Sequence, residues 1–385
     1  MALESTAHIL EVLGSTKTFY KCLRSIPDIE VQLGGLQDAF SIDIVPREYD
    51  PRMDRLDLLI KKSTLIQSFA ECYEYLYQES HAGRRKETSL ATLGILLVTP
   101  EDHTALILNE ELLLTSPVSK MKIITQFNVI CSYLTSSLAR TNKSSSLWLY
   151  FKKLLITMLN FDDESYTLSS ISKIALRIII MSMEVHPRNY YACNTLRFLV
   201  AIIRRRGSSS PLLLKEYYAA ILEYLKNDGL NDTSMWLVLV QLLVRLDAED
   251  YYVSEFLRLG FEMEPDEVDN SFSLEEIKSI KNEIFDWLVS SNYRYHSGWL
   301  ALVLISDRIG EGAAMKDFLH ASVLGFEKEE KCRISTDDGS MLKLTGEKVE
   351  LDSNLLLKER FAAYLTFKRL YEATEGRRSG RYIPK

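Results

Sequence analysis

The chain has 385 residues, 46% of them hydrophobic and 26% charged, and a net charge of −7. That is the profile expected of a soluble globular protein, too apolar for a disordered chain, and its acidic total excludes broad attraction to polyanions such as nucleic acid. Local basic groups still act within about 8 Å at physiological salt.

The five cysteines, Cys22, Cys72, Cys131, Cys193 and Cys332, lie without a close pair or a metal spacing, which points to a reduced, cytoplasmic setting. The start, MALESTAHILEVLG, has Glu4 early and no basic residue before its apolar run, so no secretory leader is expected. No stretch reaches the roughly 18 uninterrupted apolar residues of a membrane span. The last residues, Arg381 to Lys385, hold no prenylation cysteine.

In chain order, residues 1–83 are expected to form an N-terminal helical extension. It comprises a short helix, an extended connector from Asp38 to Pro51, and a helix from Arg52 to Gln78 with Leu56, Leu59, Ile60, Leu65, Ile66 and Phe69 on one side. Helical hairpins then fill 84–326. The first runs from Ser89 to Val98, turns at Thr99-Pro100-Glu101-Asp102 and returns through Leu106. The second holds Ile123, Ile124, Phe127 and Leu134, turns between Thr141 and Ser146, and returns from Trp148. In the third, ISKIALRIIIMSM over Ile171 to Met183 is halted by Pro187, and a return helix stops at Arg204-Arg205-Arg206-Gly207, where the dipole favours basic residues. The fourth starts at Pro211, closes at Asp228-Gly229 and returns through Trp236. The fifth opens on a capping pattern at Ser273-Leu274-Glu275-Glu276 and returns from Trp299. A weaker helix over Ala313 to Leu324 leads to an insertion loop or hairpin at 327–352, a closing helix at 353–375 and a flexible tail at 376–385.

The return helices share an anchor: Leu106, Trp148, Cys193, Trp236 and Trp299, each a few residues after a polar turn, at steps of 42, 45, 43 and 63 residues. Such steps are close to the period of paired-helix repeats, and the long last step is assigned to a loop insertion over Glu262 to Glu276. The expected fold is therefore all-α: a right-handed solenoid of antiparallel helical hairpins forming a crescent. Trp148, Trp236 and Trp299 then fill the gaps between stacked hairpins rather than a ligand box.

The stretch His186 to Leu199 carries a family resemblance. Asn189 and Tyr190, three and two residues before Ala192-Cys193, with Arg197 four residues beyond Cys193, match the Asn-Tyr, Trp and Arg-Arg repeat of protein prenyltransferase alpha subunits, with Cys193 in place of Trp and Leu196 in place of the first Arg. The copy at Trp148 has Ser144 and Ser145 for Asn-Tyr, with Phe151 and Lys152 in the Arg-Arg places. The copy at Trp299 reads Tyr295-His296-Ser297-Gly298, and the chain resembles the divergent branch that supplies the alpha subunit of type III protein geranylgeranyltransferase. The resemblance spans roughly residues 85 to 310.

That resemblance implies a subunit of a heterodimeric enzyme, paired with a Rab-type prenyltransferase beta subunit and adding a geranylgeranyl group to a C-terminal cysteine of a farnesylated SNARE. It implies no cofactor in this chain, the zinc and the geranylgeranyl diphosphate being bound by the beta subunit. It places Lys143 as the catalytic candidate, an ammonium reaching the diphosphate, against the plainer reading of a solvated lysine in a polar turn. Arg188, Asn189 and Tyr190 would contact substrate, or else Asn189 caps a helix and Tyr190 packs between repeats. Arg197, Tyr295 and His296 would face the beta subunit, though an internal ion pair serves Arg197 equally well.

The residues alone supply no chemistry. The six histidines pair with no cysteine or carboxylate at ligand spacing, and there is no phosphate loop or nucleophile elbow, so no metal site is expected. Asn142-Lys143-Ser144 spells a glycosylation acceptor, without meaning for a cytoplasmic chain. A helical-repeat adaptor without enzymatic activity is the alternative that these observations permit.

Overall fold

The structure is a computed structural model that describes residues 3–15, 20–26, 44–50, 55–78, 85–114, 119–161, 166–205, 210–246, 249–260, 272–336, 366–372 and 374. The chain divides into two compact units, one of residues 1–213 with 247–269, the other of 214–246 with 270–385.

In the first unit, helix α1 (Glu4–Gly14) is followed by strands β1 (Tyr20–Ile26), β2 (Ile44–Asp50) and β3 (Arg55–Lys61), then by α2 (Lys62–Gln78). β3 is central, parallel to β1 and antiparallel to β2. Pro46 lies on the outer strand β2, where a missing N–H is tolerated, beside a register irregularity between Pro46 and Glu48. The chain is otherwise helical and the all-α class holds; what the sheet corrects is local, because Arg55–Lys61, expected as part of a helix from Arg52 to Gln78, is strand β3. Arg55-Leu56-Asp57-Leu58 alternates with period two, whereas Leu56, Leu59 and Ile60 also satisfy helical spacing. A run this short fits both periods, and tertiary pairing decides. Leu23, Leu58 and Ile60 are fully buried, and the backbone N–H of Ser137 donates to Leu23 O at 2.8 Å, tying the sheet to the hairpins.

The hairpins follow as expected. α3 (Arg85–Val98) and α4 (His103–Leu114) form the first. α5 (Lys120–Leu134), the short α6 (Ala139–Asn142) and α7 (Ser145–Leu159) form the second, and α8 (Leu168–Val185) and α9 (Tyr190–Arg205) the third. Against α9 packs α12 (Glu249–Arg258), a helix the sequence reading left inside the long last step. Residues 262–271 of the supposed insertion lie outside the described residues, and its end is helical, since α13 begins at Leu274. Gly94 marks a close helix approach: a Cβ there would clash with Cys72 Sγ of α2 and meet Thr6 Cγ2 of α1 at 2.8 Å.

The second unit holds α10 (Ser210–Asn227) from Leu214 onward, α11 (Thr233–Leu243), α13 (Leu274–Ser290), α14 (His296–Arg308) and α15 (Gly312–Thr336), with a helical segment at 366–372. The capping box expected at Ser273 is formed with Glu276. α15 continues to Thr336, so the expected boundary at 327 falls inside a helix. The remainder of the insertion, residues 337–352, and the tail at 376–385 lie outside the described residues.

Candidate functional site at the hairpin turns

Each return helix begins in the same way. Asp102, Ser144, Asn189 and Asp232 stand immediately before α4, α7, α9 and α11, and each side chain accepts the backbone N–H three residues on, from Ala105, Leu147, Ala192 and Met235 at 2.9, 3.1, 3.3 and 3.1 Å. These are N-caps, satisfying donors that the first helical turn leaves without partners. Tyr295 occupies the place before α14 without a side-chain cap. Leu106, Trp148, Cys193, Trp236 and Trp299 all fall at the fourth position after these caps, and all are buried. The five anchors therefore hold equivalent places, and full burial of side chains this large stabilises each hairpin by about 1.5–3 kcal/mol.

The carbonyl six residues before each anchor also receives a side-chain donor. Where the anchor is tryptophan, its own indole supplies it: Trp148 Nε1 to Asn142 O at 2.8 Å, Trp236 Nε1 to Leu230 O at 3.1 Å and Trp299 Nε1 to Tyr293 O at 3.1 Å. Leu106 and Cys193 have no such donor, and the next or preceding hairpin provides one. Ser144 Oγ lies 3.4 Å from Pro100 O, the weaker arm of a proton it shares with the nearer Glu101, and Lys143 Nζ donates to Pro187 O at 3.2 Å.

In the first unit further buried polar groups lock successive turns together. Asn189 Nδ2 donates to Asn142 O at 3.0 Å, Asn142 Oδ1 at 2.8 Å and Ser182 Oγ at 3.1 Å, all three residues being fully buried. Glu101 reaches the start of α7, accepting from Ser144 Oγ at 2.7 Å, from Ser145 Oγ at 3.3 Å, and from Ser146. Burial pushes its carboxyl upward, but the hydrogen bonds from Ser146, Ser144 and Ser145 outweigh it and hold it below the usual carboxylate range. Asn109, Gln126, Tyr150 and Thr92 form a second buried network between the first two hairpins.

The sequence candidates lie among these contacts as follows. Lys143 is exposed at the end of α6 with one donor on Pro187 O; Arg188 is exposed with a left-handed φ of 60°. Asn189 is the cap and inter-turn bridge just described, and Tyr190 is 57% exposed, its ring 5.8 Å from that of Tyr191. These four lie on neighbouring turns. Arg197 faces Tyr252 of α12: burial raises that phenol, and the arginine beside it opposes the rise. Tyr295 and His296 belong to the other unit. Tyr295 is exposed with its ring 5.4 Å from Tyr293, and His296 is pushed down by burial and then by the charge of Arg369. Among the described residues no cluster of histidine, cysteine, aspartate and glutamate could hold a metal ion, and no helix is long and apolar enough to cross a membrane.

Other groups escaped the sequence reading. Arg204 is no mere helix end: it pairs with Glu249 at 3.0 Å, both side chains buried, while Arg205 meets Asp250 at 3.0 Å. Lys152 is buried against Glu255 at 3.0 Å and sits 4.9 Å over the Phe198 ring. Arg140, exposed on α6 three residues before Lys143, went unmarked although the turn reads Arg-Thr-Asn-Lys. His186 lies near Lys143. Burial pushes it down, bonds with the Ser137 and Ser136 backbone oppose this, and the Lys143 charge adds to the depression, so it is neutral at neutral pH.

Comparison with known proteins corrects the prenyltransferase reading. Residues 9–136 match the family model of the ECM9 N-terminal domain and residues 147–264 that of the ECM9 middle domain, and no prenyltransferase alpha-subunit model matches. Protein ECM9 of Saccharomyces cerevisiae is 29% identical over 163 residues, which are 40% of this chain and 42% of that protein. The matched stretch thus spans about two fifths of that relative. The transferase function and the keywords drawn from it are overturned with the family. What misled was spacing: a polar N-cap followed four residues later by a buried anchor recurs at four of these turns as a helix start, and Asn189 and Cys193 serve that role without a substrate. Over its N-terminal and middle parts, in that order, the chain is similar to ECM9.

Proposed function

We propose that the chain is a helical-hairpin scaffold that binds another protein through the turn edge of its first unit. One observation carries this reading: polar side chains of three successive turns bond one another, the buried Asn142, Ser144 and Asn189 with the exposed Glu101 and Lys143, which rigidifies the edge, and Arg140, Arg188, Tyr190 and Tyr191 are exposed along it. A rigid presentation lowers the ordering cost of association, and tyrosine and arginine are the residues over-represented among those that dominate binding energy.

The test is a photo-crosslinking amino acid placed at Tyr190 and, as a control, at the exposed Glu87 in cells. A discrete adduct at 190 that is absent at 87 supports the scaffold reading. Equal or absent labelling at both positions contradicts it.

A further inference from the structure

We infer that the edge formed by Arg140, Lys143 and Arg188 docks an acidic peptide segment of a partner protein, with apolar side chains of that segment lying on Tyr190 and Tyr191. The inference rests on the scaffold reading and adds the partner's chemistry.

Charge is the first argument. The chain carries a net −7, yet the turns Ala139–Ser144 and His186–Tyr191 contain Arg140, Lys143 and Arg188 and not one carboxylate. The bond from Lys143 to Pro187 O at 3.2 Å joins the two turns, so these cations form one edge rather than separate sites. The carboxylates on the flanking elements are Glu101 and Asp102 before α4, Glu184 on α8, and Glu249, Asp250 and Glu255 on α12; Asp102 caps α4 and accepts from Tyr77, and those on α12 pair with Arg204, Arg205 and Lys152. Glu101 is turned onto the three serines that open α7, where the helix N-terminus already holds its charge. Glu184 is half-buried at the end of α8. His186 adds no charge at neutral pH. A basic edge on an acidic protein therefore steers acidic segments and repels basic ones.

Geometry is the second argument. An ammonium has three donors, and the exposed Lys143 spends one on Pro187 O, so two remain for carboxylate acceptors. Tyr190 and Tyr191 present edge-to-face rings with centroids 5.8 Å apart, exposed by 57% and 38%, at the head of α9 directly after Arg188. Cations followed by an aromatic platform suit a chain of alternating acidic and apolar residues better than a bare anion.

A fluorescently labelled synthetic peptide of alternating aspartate, glutamate, leucine and phenylalanine, titrated against the full chain by anisotropy, tests this. Binding should weaken by about tenfold or more in Arg140→Glu/Arg188→Glu, which reverses two exposed charges, and should fall steeply with added salt. Lys143→Arg should retain it. Equal affinity for wild type and the charge-reversed chain overturns the inference, as does selective binding of anionic vesicles or single-stranded RNA in place of the peptide. A persisting adduct at Tyr190 without peptide binding overturns the partner chemistry alone; loss of both overturns the scaffold reading as well.

Discussion

Lys143 and Pro187 are joined across two hairpins by a bond of 3.2 Å that takes the place of an indole: Cys193, standing where three other hairpins have tryptophan, leaves the Pro187 carbonyl for the lysine to cap. The same carbonyl is thus satisfied from within a hairpin or from its neighbour. When the neighbour does it, the bond also fixes how successive turns stack.

These two solutions differ in cost when removed. Trp148→Phe deletes one of two donors on Asn142 O, leaving Asn189 Nδ2 there, and loses packing besides; it should destabilise by about 1–3 kcal/mol in urea denaturation. Lys143→Met removes an exposed donor whose place water takes, and should cost less than about 1 kcal/mol.

The buried pair of Arg204 and Glu249 should behave asymmetrically. Arg204→Met removes the ion-pair partner of a carboxylate that is 3% exposed and should cost about 3–5 kcal/mol. Arg204→Met combined with Glu249→Leu should recover most of that loss, because two apolar side chains need no compensating charge. Thermal unfolding of the single and double variants measures the difference.

Glu101 should impose acid sensitivity on the turn edge. Its folded pKa lies below its unfolded value, so its stabilisation is complete above the usual carboxylate range and is lost as pH falls through the folded value. Glu101→Gln should therefore flatten the stability curve below about pH 4.5 relative to wild type, as read from melting temperatures across that range.

Lys21 should act in the opposite range. It is buried with its ammonium on Leu13 O at 3.0 Å and Ser15 O at 2.8 Å, and burial lowers it to about 8, with Cys131 opposing. Between that value and the ordinary 10.5 the unfolded chain holds more protons than the folded one, so this lysine makes stability rise with pH there. In Lys21→Met the slope of stability against pH between about 7.5 and 9 should be less positive than in wild type.

The hairpins were legible because their signals are local. Asp102, Ser144, Asn189 and Asp232 are caps whose spacing to Leu106, Trp148, Cys193 and Trp236 is set by one helical turn, and such spacing survives in sequence whatever the partner. The sheet was not, because β1 and β3 pair residues as far apart as Tyr20 and Arg55 in a short run that helical periodicity also fits. Nor were the contacts of Lys152 with Glu255 or of Arg204 with Glu249, which depend on α12 returning to α9. At the candidate site, Lys143 and Tyr190 were picked out from a resemblance the comparisons do not support. The exposure that now recommends them, beside Arg140 and Tyr191, is a tertiary property. Lys143 also shows how role and position separate: its place in the repeat was readable, its Pro187 partner was not.

The central claim is that the anchors occupy one equivalent, buried place at every turn. The most direct measurement is hydrogen exchange of the tryptophan indole N–H groups in the 15N-labelled chain. Trp148, Trp236 and Trp299 should exchange slowly, each bonded to the carbonyl six residues earlier, while the half-buried Trp287, outside the repeat register, exchanges fast. Three anchor indoles exchanging as fast as Trp287 would contradict the shared register and the rigid turn edge built on it.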